Sequence, residues 1–159
     1  MSNLLKKEKG FTLIEIVLVL AIAGLLLVIV FLAVSGAQKS RRDSQRKNDL
    51  SRIAAQLESF AGNYNGCYPG SAGLGGCAAT VPNIASFWGS TYITGGNFND
   101  PSSGTQYAAP AAFNANPVFV AGSPAPVTYR YGTSCDGTTG RTYSISMGLE
   151  QGSLCRDTK

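Results

Sequence analysis

From Ile16 to Gln38 the chain carries no charged residue, and Leu, Ile, Val, Ala and Phe fill most of the stretch. No other feature limits what this chain can fold into so severely. At about 1.5 Å of rise per residue, some 20 apolar residues in a helix cross the hydrocarbon core of a bilayer. The stretch is apolar on every helical face, unlike the one-sided pattern of a helix lying on a soluble core. Lys6, Lys7 and Lys9 precede it and Ala21-Ile22-Ala23 lies within it, as in a secretory signal peptide. The apolar run continues well past Ala23, however, and outlasts an ordinary signal core. The sequence therefore predicts a membrane-spanning helix.

Beyond Gln38 the helix is expected to continue. The segment AQKSRRDSQRKNDLSRIAAQLESFAGNY, ending at Tyr64, has no proline and no glycine before Gly62. Leu50, Ile53, Ala54, Leu57, Phe60, Ala61 and Tyr64 recur at i, i+3, i+4 and i+7, one apolar stripe with Arg52, Gln56 and Glu58 off it. A helix from about Phe11 to Tyr64 is thus apolar all round in its first half and amphipathic in its second. After Gly62 the composition changes, and Asp100 is the only charged residue between Ser59 and Val127. Turn formers cluster in NGCYPG, GLGG, TGGNFNDPSSG and GSPAP. Phe87, Trp88, Tyr92, Phe98, Tyr107, Phe113 and Phe119 are scattered between them, which points to an ordered, loop-rich region. VTYRYG from Val127 and RTYSISM from Arg141 alternate as strands do, and Asp136-Gly137 between them suits a tight turn. The expected fold class is α+β, with a small antiparallel sheet packed on the amphipathic half of the helix. The expected division is a basic leader at 1–10, a membrane helix at 11–38, its amphipathic continuation at 39–64 and a small β-rich globular domain at 65–159.

Cys67, Cys77, Cys135 and Cys155 all lie outside the apolar run, and none forms a CxxC pair of the zinc or redox kind. An even number beyond a membrane segment reads as disulfides in an oxidising compartment, with free thiols the alternative. The turn-rich intervening segments favour Cys67–Cys77 and Cys135–Cys155. The 13 basic and 9 acidic residues give a formal net charge of +4. Residues 1–10 hold three of the lysines and Glu8, so ten basic and eight acidic residues remain beyond them, a net +2. That is too little for a nucleic-acid footprint on charge alone. Histidine is absent, which removes the commonest general base. There is no GxSxG and no phosphate loop, and Asp100, Asp136, Glu150 and Asp157 lie far apart in the chain. Neither catalysis nor a cofactor is expected. Asn97, Asn99 and Asp100 could offer oxygens to calcium, but without an EF-hand loop a turn before Pro101 is the plainer reading, and no metal is expected.

Glu15 lies just inside the apolar run. A charge at the centre of a membrane helix costs about 2.5–3.5 kcal/mol, and less near the edge. Two readings stay open. In one, Glu15 snorkels to the headgroups and gains about 0.3–1 kcal/mol from the positive end of the helix dipole. In the other it has a cationic partner. No Lys or Arg lies between Phe11 and Gln38, so that partner is a leader lysine or a newly made terminus. A cut after Gly10 would free the amine of Phe11, which a neighbouring helix could present to Glu15 in a low-dielectric bundle.

KKEK-G-FTLIE followed by an unbroken apolar helix resembles the N-terminus of type IV prepilins and type II secretion pseudopilins, from Lys6 to about Val34. The resemblance implies a leader removed after Gly10 by a membrane-embedded prepilin peptidase, and methylation of the new N-terminal Phe11 by the same enzyme. It implies that Glu15 neutralises the terminal amine of an adjacent subunit during assembly. The implied partners are copies of the chain itself, the peptidase, a pilus assembly platform in the membrane, and the lipid bilayer before assembly. Many major pilins carry a kinking proline in the apolar segment, whereas this chain has none from Phe11 until Pro69; Gly24 could weaken the helix by about 1 kcal/mol relative to alanine. NGCYP at 65–69 resembles the Asn-Gly-x-Tyr-Pro that follows the helix in pseudopilins and Gram-positive-type pilins, although a helix stop and a turn explain it equally well. A Cys135–Cys155 pair resembles the disulfide-bounded loop of many pilins.

Lys39, Arg41, Arg42, Arg46 and Lys47 outnumber the leader lysines, and by the positive-inside rule would hold the C-terminal part in the cytoplasm. The disulfide reading and the resemblance both place it outside. There the cluster would meet anionic headgroups or a neighbouring subunit, with DNA the lesser reading. The sequence thus points to a structural subunit of a type IV pilus-like filament, stored in the cytoplasmic membrane and then extracellular, serving adhesion, motility or DNA uptake. The alternatives are a pseudopilin of a type II secretion or competence system, and a single-pass membrane-anchored binding domain that does not polymerise.

Overall fold

The computed structural model describes residues 10–94, 98–110, 119–121 and 123–158. Its elements in chain order are α1 (Leu13–Asn63), α2 (Ile84–Trp88), β1 (Val127–Thr133), β2 (Thr139–Leu149) and β3 (Gly152–Asp157). The chain divides into two units, 1–38 and 39–159, and α1 contributes to both.

In the first unit the helix starts at Thr12, whose Oγ1 accepts a hydrogen bond from the Glu15 amide at 3.3 Å. Thr-x-x-Glu is the spacing of a capping box, in which a hydroxyl occupies one of the unpaired donors of the first turn. From Gly10 to Gln38 every residue is exposed, and Phe31 is 81 % exposed. This half of α1 is long and apolar enough to cross a membrane.

The second unit is the α+β domain. Its sheet is antiparallel in the order β1-β2-β3. The register Val127↔Met147, Tyr129↔Ile145 and Tyr131↔Tyr143 sets those residues on one face of the sheet. That face packs on Leu50, Ile53, Leu57 and Phe60 of α1, all buried. The Tyr143 hydroxyl donates to the Ala54 carbonyl at 3.4 Å, tying the central strand to the helix. On the opposite face Thr128 and Ser146 share a hydrogen bond of 2.7 Å. α1 ends where Asn65 (φ 53°) and Gly66 (φ 76°) enter the left-handed region, and the Gly66 amide returns to Ala61 O at 2.8 Å. Asn83 caps α2 by accepting from the Ser86 amide at 2.8 Å. Phe87 and Trp88 then enter the core, with Trp88 Nε1 donating to Tyr107 O at 3.0 Å.

Two elements have no counterpart in the sequence expectations. α2 spans only 5 residues, too few for a readable period. β3 follows β2 through the two-residue link Glu150-Gln151, and its sequence GSLCRD lacks a clear alternation.

Candidate functional site

The head of α1 holds three of the residues singled out by the sequence. Gly10 and Phe11 precede the first helical residue and are exposed, Phe11 by 78 %. Glu15 lies in the first turn and is also exposed. Gly10 and Phe11 thus sit in non-helical backbone, and Glu15 follows in the first turn of α1. Lys6, Lys7 and Lys9 lie outside the described residues, as do Asn97 and Phe113.

The domain end of the basic cluster is arranged differently from expectation. Lys39, Arg41 and Lys47 are exposed, but Arg46 is completely buried. Its Nε and Nη2 donate to the two oxygens of Asp100 at 2.9 and 3.0 Å, and Nη1 donates to Asp43 at 2.9 Å and Glu150 at 3.2 Å. The guanidinium also lies 4.3 Å from the centre of the Phe119 ring. Arg42 donates to both oxygens of Glu150, at 2.6 and 3.0 Å. Asp43 accepts the amides of Glu150 and Gln151 at 2.9 and 3.0 Å, so the β2–β3 turn is clasped to α1. The expectation that all five cations face headgroups, a subunit or DNA is corrected for Arg42 and Arg46. A buried arginine is tolerated only with carboxylates around it, and these two are paired inside the domain.

Asp100 is engaged on every side, by Arg46, by the Ala125 amide at 2.9 Å, and by the amide and hydroxyl of Ser102. Burial disfavours its charge, but Arg46 and Ser102 outweigh that and hold the carboxyl well below the usual range. The hydrogen bond from Arg42 likewise lowers Glu150, against a smaller effect of burial. For Arg46, burial works against the cation, yet Asp100, Asp43 and Glu150 raise its pKa. Asp49 runs the other way. Burial raises it, opposed by the Tyr107 hydroxyl at 3.1 Å and by Arg52 at 3.4 Å. With its oxygens taken by protein donors, Asp100 serves the ion cluster and a turn after Pro101. Asn99 pairs with Gln106 in an isolated bridge.

Of the three pairings open to four cysteines, the structure contains Cys67–Cys77 and Cys135–Cys155. The Cys135 amide donates to Asp157 at 2.7 Å, which holds the second bridge against the end of β3. Sequence reasoning passed over Asp43, Glu150 and Arg141 as parts of any site. Asp43 and Arg46 at i and i+3 on a stretch otherwise continuous with the buried stripe were the available signal.

The family described as the prokaryotic N-terminal methylation motif matches residues 5–31. Residues 5–31 carry the methylation motif of the type IV pilin and pseudopilin family. The match contains Gly10, Phe11 and Glu15 and ends within the apolar half of α1, so it does not extend to the domain. No curated protein and no solved structure matches the chain. The motif implies processing by a prepilin peptidase, and a membrane location followed by pilus-like assembly at the surface.

Proposed function

We propose that this chain is a structural subunit of a type IV pilus-like filament. Residues 1–10 are removed after Gly10, and the amine of Phe11 is methylated. Residues 11–38 hold the subunit in the cytoplasmic membrane and later pack in the filament core. The stretch 39–64 carries the domain 65–159, which lies outside the membrane and forms the filament surface. During assembly Glu15 of one subunit neutralises the Phe11 amine of the next. The observation that carries this reading is an entirely unpacked apolar helix half headed by the methylation motif. Side chains such as Leu, Ile and Val stabilise by about 1.5–3 kcal/mol each when withdrawn from water. A bilayer and then a bundle of identical helices supply that burial in turn. The two disulfides support a domain on the oxidising, outer side of the membrane.

Mass spectrometry of the N-terminal peptide in material sheared from producing cells tests this. A methylated peptide starting at Phe11, abundant in that fraction, is the expected result. Processed protein confined to the membrane would favour a pseudopilin, and full-length protein retaining Lys6 to Gly10 would leave a membrane-anchored domain. Glu15→Ala should insert normally and fail to enter filaments.

A further inference from the structure

Arg141 stands at the start of β2, exposed, and among the described residues it forms no ion pair. Its Nη2 lies 3.6 Å from Cys67 Sγ and 3.6 Å from Cys77 Sγ. A disulfide sulfur is a weak acceptor, whereas a thiolate beside a guanidinium makes a strong charge-assisted hydrogen bond. The contact therefore favours the opened bond more than the closed one. Cys67, itself buried, borders a cleft of about 290 Å³ with Asn65, Gly76, Thr80 and Val81. The bridge closes a loop that carries exposed Leu74 and four glycines at positive φ, Gly70, Gly73, Gly75 and Gly76. The base of that loop is anchored by Tyr68 in the core, by the Tyr129 hydroxyl on Pro69 O at 2.9 Å and by the Gly70 amide on Pro82 O at 3.0 Å, whereas residues 72–76 are exposed and held by short turns.

We propose that Cys67–Cys77 is a thiol–disulfide exchange site, opened by a dithiol oxidoreductase, with Arg141 stabilising the departing sulfur. A thiolate of the dithiol attacks Cys67 Sγ from the cleft, the S–S bond breaks, and the electron pair leaves on Cys77 Sγ beside Arg141. The second thiol of the dithiol then displaces Cys67 from the mixed disulfide. The dithiol ends oxidised to its own disulfide, and Cys67 and Cys77 end as thiols after taking up the two protons. The exposed tip at 72–76 is released while Tyr68 and Ser71 stay buried and the core on α1 stays intact.

Cys135–Cys155 is the internal control. Its sulfurs belong to half-buried residues, whereas Cys67 and Cys77 are buried, so exposure alone predicts that Cys135–Cys155 opens first. The test is titration of the full-length chain in detergent with dithiothreitol, followed by alkylation and peptide mass spectrometry. Cys67 and Cys77 are expected to become alkylated at a reductant concentration about tenfold below that for Cys135 and Cys155. Arg141→Gln should remove or reverse that order, and Arg141→Lys should restore most of it. Opening of Cys135–Cys155 first in the unaltered chain, or an order unchanged by Arg141→Gln, would overturn the proposal. So would simultaneous opening of both bridges with loss of the folded signal of Trp88.

Discussion

Arg46 is the side chain on which the domain's ion pairs converge, and the effect of its loss follows from what remains. Truncation to alanine leaves Asp43, Asp100 and Glu150 without their shared cation, and breaking a buried pair in this way typically costs about 3–5 kcal/mol. Arg46→Ala should lower the free energy of unfolding by that amount in chemical denaturation followed by fluorescence of Trp88, the only tryptophan. The same cluster sets a pH dependence. Asp100 and Glu150 are held below their unfolded values. Their contribution is therefore complete above about pH 5 and is lost as pH falls through about 4 and below, where the unfolded carboxylates bind protons first. Asp49, raised by burial, acts in the opposite sense and offsets part of the loss. Asp100→Asn should flatten the acid limb of the stability curve and lower the plateau, read by denaturation at a series of pH values.

At the scale of elements, α1 changes what it buries along its length. Asp43, Arg46 and Asp49 face the domain on the turns nearest the membrane half, and Leu50, Ile53, Leu57 and Phe60 take over from there. The apolar turns are where the sheet is held by packing. Leu57 is fully buried, and Leu57→Ala should cost about 2–5 kcal/mol, depending on how far Tyr143 and Ile145 can relax into the space. Ala55, on the exposed side of the same turn, should tolerate substitution by Ser within about 0.5 kcal/mol. A comparison of the two variants in urea distinguishes a packed seam from a helix held by its own propensity.

For the molecule as a whole, the two halves of α1 need different solvents. The domain encloses its own core, whereas Leu13, Phe31 and their neighbours are exposed and pack on nothing among the described residues. Exposed apolar surface of this extent is incompatible with a stable monomer in water. Purified protein should remain dispersed in detergent and associate when the detergent is removed, as followed by light scattering. A chain truncated to 39–159 should stay monomeric under both conditions. Persistence of the full-length chain as a detergent-free monomer would contradict a structure in which residues 11–34 lie unpacked.

The membrane half, the amphipathic stripe, β1 and most of β2 were legible in the sequence because each is a local property. Absence of charge over 23 positions, a recurrence every three to four residues and an alternation of two are visible without knowing what the chain touches. The head of the helix was legible for the same reason, since Gly10, Phe11 and Glu15 are close neighbours in sequence. What brings Arg46 to Asp100 and Glu150, 54 and 104 residues away, is the return of a loop and of the β2–β3 turn onto one helical face. The same holds for Arg141 and the Cys67–Cys77 bridge, 74 and 64 residues apart. A cation written in a basic cluster looks solvated, and only the tertiary structure decides which of the five is withdrawn from water and must find its carboxylates inside.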